Sequence, residues 1–254
     1  MVARGRDRVQ AGITLGREVT VAQGSAEAAV LDRLRRGRSL TQAHRALPVV
    51  AALEAAALLA HARRSPDAKV LVLGAFGADG EVARALATAG LRPVSVRRAG
   101  RSPGLFLACG EPEREEFDPW LREGRPHLVV RLVDGLVVLG PFVEPGRTAC
   151  LRCLDAHRHD ADPEHIPVLH RYIHEERADG HTDEVPSADA ALALAWAARD
   201  LATWHAGGRP ATLSTTITLE PGGLTATAWL RHPECVCGWG VHAPVADPAH
   251  LTHE

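Results

Sequence analysis

The spacing of apolar positions changes along the chain, and each change marks an element. Val9, Ala11, Ile13 and Leu15 alternate with polar or small residues, and Val19 and Val21 resume the alternation after Gly16-Arg17. A period of two is the signature of a half-buried strand, so residues 8–23 are expected to form two short strands. From Ser25 the spacing lengthens to that of a helix. Val30, Leu31 and Leu34 make its apolar stripe, Ser25 suits the N-cap, and Gly37 ends it. Thr41 opens a short second helix to Leu47. Pro48, at home in a first helical turn, opens a third through VVAALEAAALLAHARR to the stop at Pro66. Strands followed by three helices predict a small winged-helix-like module over residues 1–66.

Beyond Pro66 the pattern is that of an α/β domain, residues 67–254. Lys69–Gly74 is a nearly unbroken apolar run of the kind buried on both faces. It enters a Gly-rich turn, 74–80, and a helix from Glu81 to Ala89, which is how a Rossmann-like unit opens. Strands are expected at Arg92–Arg97, Gly104–Ala108, His127–Val133 and Gly135–Phe142, with Asp134-Gly135 as a hairpin turn between the last two. The polar, His-rich stretch after Cys153 offers only His170 and His174 at the i, i+4 spacing of a helical metal site, and is expected to be a long, mobile connection rather than a second metal site. Ser187 caps a long helix in which Leu192, Trp196, Leu201 and Trp204 are expected to share the buried side. A hairpin pairs Thr212–Leu219 with Leu224–Leu230.

Composition adds exclusions. Hydrophobic residues make up 46% of the 254 positions, enough for a core, and a net charge of -2 gives no global attraction to nucleic acid. No apolar run reaches spanning length and no apolar stretch backs the charged N-terminus, so a cytoplasmic location without membrane contact is expected. Arg33, Arg35, Arg36 and Arg38 read as a solvated rim, since the third helix is too apolar to read bases. Lys69 is the only lysine and precedes its strand, so no phosphate-loop Gly-Lys-Ser/Thr exists. Phe76 crowds the Gly-rich turn, and no acidic residue closes 92–97. The nucleotide site is therefore expected to be degenerate, and ATP is not an expected cofactor.

Four of the five cysteines form two tight pairs, Cys150/Cys153 as C-x-x-C and Cys235/Cys237 as C-x-C. In a reducing compartment such pairs favour metal over disulfide. Four thiolates from two chain segments are the donor set of a closed, structural zinc site with no open position for catalysis. A redox dithiol is the rival reading, but the thioredoxin-like context is missing. His232 is a substitute ligand that four cysteines do not need. Cys109 reads as a small buried residue.

The segments GPFVEPGRTACLRCLDAHRHDADP (140–163) and HPECVCGW (232–239), placed after a degenerate Gly-rich turn, resemble the ThiF/MoeB-like activating enzymes. More closely they resemble the ocin-ThiF-like, or F, proteins of peptide natural-product clusters. That resemblance covers about residues 8–240. It implies a leader-peptide-binding protein, without catalytic residues of its own, that partners a YcaO cyclodehydratase in thiazole and oxazole formation. It also implies that the first 66 residues are the recognition element. The leader would add a strand beside Glu18, Val19, Thr20 and Val21, against Leu53, Ala57 and Leu58 of the third helix. Homodimers are a family-level expectation. The thioester-forming relatives keep a cysteine in the loop that residues 154–234 span, and this stretch has none. The competing functions are an ATP-dependent adenylating enzyme and a winged-helix DNA-binding regulator.

Overall fold

The computed structural model describes residues 1–56, 58, 68–74, 80–175 and 187–238. The chain divides into two compact units, 1–63 and 64–254.

The first unit holds three strands: β1 (Val2–Arg4), β2 (Arg8–Ala11) and β3 (Val19–Ala22), antiparallel in the order β1-β2-β3. The sequence pattern revealed only two, because β1 is three residues long and exposed throughout. Three helices follow, α1 (Ala26–Arg35), α2 (Gln42–Arg45) and α3 (Pro48–Ala55). Their starts follow the local chemistry. The Ser25 hydroxyl accepts from the Ala28 N–H at 3.1 Å, and Thr41 and His44 close a reciprocal capping box. Pro48 sits in the first turn of α3, where its missing N–H costs nothing. Helix α3 ends at Ala55 with Ala56 as its C-cap; of the rest of the helix expected from sequence, only Leu58 lies within the described residues. Val30, Leu31, Val49, Val50 and Leu53 form the core, with Val9, Ala11, Val19 and Val21 packed against it.

The second unit is built on a seven-stranded sheet. Its strands are β4 (Lys69–Gly74), β5 (Arg92–Val94), β6 (Gly104–Cys109), β7 (His127–Val133), β8 (Leu136–Val143), β9 (Thr215–Glu220) and β10 (Gly223–Ala228), in the order β10-β9-β8-β7-β6-β4-β5. Strands β5, β4, β6 and β7 are parallel, and β8, β9 and β10 extend the sheet antiparallel. The order reverses between β4 and β6, the switch point where doubly wound sheets open a crevice. Gly74 ends β4 with φ +75° and packs its backbone on the Leu107 carbonyl, an approach that excludes any side chain. Residues 75–79, including Phe76, are outside the described region.

Alternation along the strands divides the core. Val70, Leu105, Leu107, Leu128 and Val130 face one way, under α4 (Glu81–Thr88) and α9 (Ser187–His205). Leu71, Phe106 and Val129 face the other way. That side carries α5 (Val96–Ala99), α6 (Asp118–Arg122) and α7 (Leu151–Ala161). Asp134 (φ 54°) and Gly135 (φ 72°) make the expected tight turn between β7 and β8.

Three expectations need correction. The strand expected over 92–97 stops at Val94, and 96–99 is a short helix. The described part of the His-rich connection, up to residue 175, is largely helical: α7 is followed by α8 (His165–His174), with Pro167 harmless in its first turn. Leu192 is 50% exposed while Leu201 is fully buried. Nine residues apart on a helix is half a turn out of phase, so the two cannot share a face. The buried side of α9 is instead Ala190, Ala193, Leu194, Ala197, Ala198 and Leu201.

Candidate functional site

The two cysteine pairs meet. Cys150 is the N-cap of α7 and Cys153 lies in its first turn, so helix geometry turns both sulfurs to one side. Cys235 and Cys237 arrive after β10 on a short 3-10 turn, 236–238. The Sγ–Sγ distances are 3.8 Å for Cys150–Cys153, 3.8 Å for Cys150–Cys235 and 3.5 Å for Cys153–Cys237. A tetrahedron of thiolates about 2.3 Å from a zinc ion has edges of about 3.8 Å, so the spacing fits that ion. All four cysteines are free and buried. Hydrogen bonding among the crowded sulfurs pushes the Cys150 thiol up and the Cys153 thiol down. Cys109, the fifth cysteine, is half-buried at the end of β6.

Polar stitches fix the two arms of this cluster. The Ala149 N–H donates to Ser214 Oγ at 2.9 Å, and that hydroxyl donates to the Trp229 carbonyl at 2.8 Å. Arg231 donates to the Gly146 carbonyl at 3.0 Å. The cysteine cluster thus ties α7 to the chain that leaves β10.

A second grouping lies beside it. Ligand-type atoms of His157, Asp160 and His232 fall within 4.8 Å of one another. Its hydrogen bonds argue against metal. Glu234 N–H donates to His232 Nδ1 at 3.3 Å, so Nε2 carries the ring proton and donates to Asp160 Oδ2 at 2.9 Å. His157 Nε2 donates to the Leu230 carbonyl at 3.0 Å. His232 therefore spends both nitrogens holding the turn ahead of Cys235, whose N–H bonds the His232 carbonyl at 3.1 Å. It supports the cysteine loop and is no substitute thiolate.

Sequence reasoning missed a buried ionic cluster under α7. Arg131, in the middle of β7, is 1% exposed. Its guanidinium reaches Glu111 at 2.7 Å, and Arg114 reaches Glu111 at 2.9 Å and Asp155 of α7 at 2.7 Å. Burial alone would raise the Glu111 carboxyl. The Arg131 and Arg114 guanidiniums outweigh it and hold that group at about 2. The signal was present: an arginine interrupting HLVVRLV on a strand whose alternate residues are core. The network clamps the helix that carries Cys153 to the carboxyl ends of β6 and β7.

The residues expected to hold a peptide lie in the first unit, apart from this cluster in sequence. Strand β3 is an edge strand, paired with β2 on one side only among the described residues. Val19 and Val21 turn inward to the small core, while Thr20 faces away and takes a hydrogen bond from Arg4 at 3.2 Å. Leu53 is 2% exposed within that core. Leu58 is half-buried, Glu18 directly precedes β3, and Ala57 lies outside the described residues.

No family model matches the sequence and no curated protein is found as a relative. Solved structures do match in fold. The heterocyclase TruD aligns with a TM-score of 0.60 at 17% identity, over 93% of this chain and 41% of that one. A heterocyclase in complex with substrate and cofactor aligns at 0.51 and 22% identity, over 79% of this chain and 29% of that one. MccB of E. coli aligns at 0.53 and 11% identity, over 92% and 95%. At these identities the likeness shows a fold shared with these proteins and nothing beyond it. The chain spans less than half the length of either heterocyclase. No helix among the described residues is long and apolar enough to cross a membrane.

Proposed function

We propose that this protein binds the leader segment of a ribosomally made precursor peptide and presents the attached core to a YcaO-type cyclodehydratase. The observation that carries the reading is β3. Among the described residues it is the edge strand of a small sheet, backed by α1 and α3, in a unit other than the one that carries the cysteines. An edge strand offers a row of unpaired backbone donors and acceptors, and an extended peptide satisfies them by joining the sheet. Residues 18–21 and Leu58 border the added strand, and Leu53 supports it from the core beneath. The fold neighbours favour the same setting, since one of them is a heterocyclase held with its substrate.

The cysteine cluster plays a structural part. Cys150, Cys153, Cys235 and Cys237 hold one zinc ion, whose chemistry is to cross-link two distant segments of the chain. With four thiolates bound it has no position left for substrate. The protein then acts by raising the local concentration of the core peptide at the partner's active site.

The test is fluorescence anisotropy with the labelled leader of a precursor encoded beside the gene, run with and without the neighbouring cyclodehydratase. Saturable binding that Val19→Pro removes is the expected outcome. No binding under either condition ends the proposal. Pyrophosphate exchange dependent on this chain would move the assignment to an adenylating enzyme, and a salt-dependent shift of promoter DNA to a regulator.

A further inference from the structure

A groove of about 790 Å³ opens on the second unit between α7, α8, residues 113–115 and the loop of the second cysteine pair. That volume lies in the range of ordinary ligand sites. Its large aliphatic side chains come from two elements distant in sequence. Ile166, Leu169 and Ile173 line up on α8 at the i, i+3, i+7 spacing of one helix face, and Val236 faces the same groove from the cysteine loop. Ile166 and Val236 are 41% and 51% exposed. Two large aliphatics left open to water on facing walls of one groove form a patch rather than scattered surface residues.

The charge around the groove has one sign to spare. Its lining holds the carboxylates of Glu113, Glu115, Asp155 and Glu234, the guanidiniums of Arg114 and Arg152, and the imidazoles of His159, His170 and His174. Both guanidiniums are already engaged. Arg114 is held by Glu111 and Asp155, and Arg152 by Glu115 at 3.0 Å and Asp118 at 3.2 Å. Asp155 and Glu115 are spent in the same pairs, so the carboxylates that remain for the rim are Glu113 and Glu234. Glu234 is exposed on the cysteine loop, and Glu113 meets only His174, at 3.2 Å, among the described ion pairs. An apolar floor with an acidic rim is complementary to an aliphatic surface edged by lysine or arginine.

We infer that this groove is a docking site for an amphipathic helix of a partner protein, with aliphatic residues on one face and lysine or arginine at its border. This is the helix-in-groove mode, with α8 and the cysteine loop as its walls. Because Val236 lies between Cys235 and Cys237, the same metal that staples the loop sets one wall of the groove. The site is independent of the β3 edge, so the protein would hold a peptide with one unit and a partner with the other.

The probes are two fluorescein-labelled helical peptides with leucines at i, i+3, i+4 and i+7, one bordered by lysines and one by glutamates, added to the full-length, zinc-loaded protein. The lysine peptide is expected to bind and the glutamate peptide to bind at least about tenfold more weakly, a gap that narrows with salt. Ile166→Ser, remote from the cysteines, is expected to weaken the lysine peptide about tenfold at unchanged zinc content. Glu234→Arg is expected to reduce the preference for lysine over glutamate. Absence of lysine-peptide binding, equal affinity for the two peptides, or binding indifferent to both substitutions overturns the inference. Leader binding at β3, measured in the same samples, reads the other proposal separately.

Discussion

Three residues set out what single side chains do here. Cys150 shares a tetrahedron with three other sulfurs, so Cys150→Ser removes one ligand and leaves the remaining thiols crowded. Zinc content measured by mass spectrometry should fall from one per chain toward zero, with loss of cooperative unfolding in the second unit. A metal-free variant that stays folded and melts normally would remove the structural role. Asp155 holds Arg114 in a site where both are 7% exposed. Asp155→Ala leaves a buried guanidinium short of a partner, and urea denaturation should show a loss of about 3–5 kcal/mol. The third residue, His127, lies among Phe106, Phe117 and Trp120 with its Nδ1 donating to the Arg125 carbonyl at 3.0 Å. Burial pushes its imidazole down to about 4.

The sign of the pH effect follows. A depressed folded value means that the unfolded chain takes the proton first. The His127 contribution is therefore complete above pH 6.5 and is lost as the pH falls toward 4, about 3 kcal/mol in all. Glu111 acts in the same direction but lower, complete above pH 4.5 and lost as the pH falls through about 2. His127→Phe should flatten the upper part of the stability-against-pH curve and Glu111→Gln the lower part. Reading each variant as a difference from the parent at every pH cancels whatever pH dependence the cysteine cluster adds to both. Parallel curves for His127→Phe and parent would remove this account.

At the scale of elements, β3 carries the sharpest expectation. If a leader joins the sheet at that edge, amide hydrogen exchange over residues 18–23 should slow when leader is added, while exchange in β6 and β7 stays unchanged. Slowing spread evenly over both units, or none at 18–23, argues for a different contact. Elements also show what could be read from the chain. The β7–β8 turn was legible because Asp134-Gly135 meets a backbone demand few residue pairs meet. The starts of α1, α2 and α3 were legible because Ser25, Thr41 and Pro48 act within their own turns. Helices α7 and α8 were hidden, since their histidines and acids mask a stripe of few apolar residues. Strand β1 was hidden because its place depends on pairing Ala3 with Val9, which no local pattern announces. The cysteine tetrahedron was inferred from spacing alone, whereas the Glu111–Arg114–Arg131–Asp155 cluster joins residues from three parts of the chain and emerged only with the fold.

At the scale of the molecule, the two units differ in how they are held together. The first rests on five buried apolar residues, Val30, Leu31, Val49, Val50 and Leu53, without a metal or disulfide among its described residues. Cores this small are marginal. The second unit has two clusters on opposite sheet faces, an ionic clamp and the cysteine cluster. The two should therefore respond to different ligands. Calorimetry should resolve a lower transition for residues 1–63 and a higher one for the second unit. Leader peptide should raise the lower transition, because a ligand that binds only the folded form adds its binding free energy to stability. A strong zinc chelator should lower the higher transition by removing the cross-link between α7 and the segment after β10. The cross-effects should be small: chelator should leave leader affinity nearly intact at temperatures where both units are folded. If chelation instead abolished leader binding while the second unit remained folded, metal and recognition would be one device, and the division of labour between the units would have to be given up.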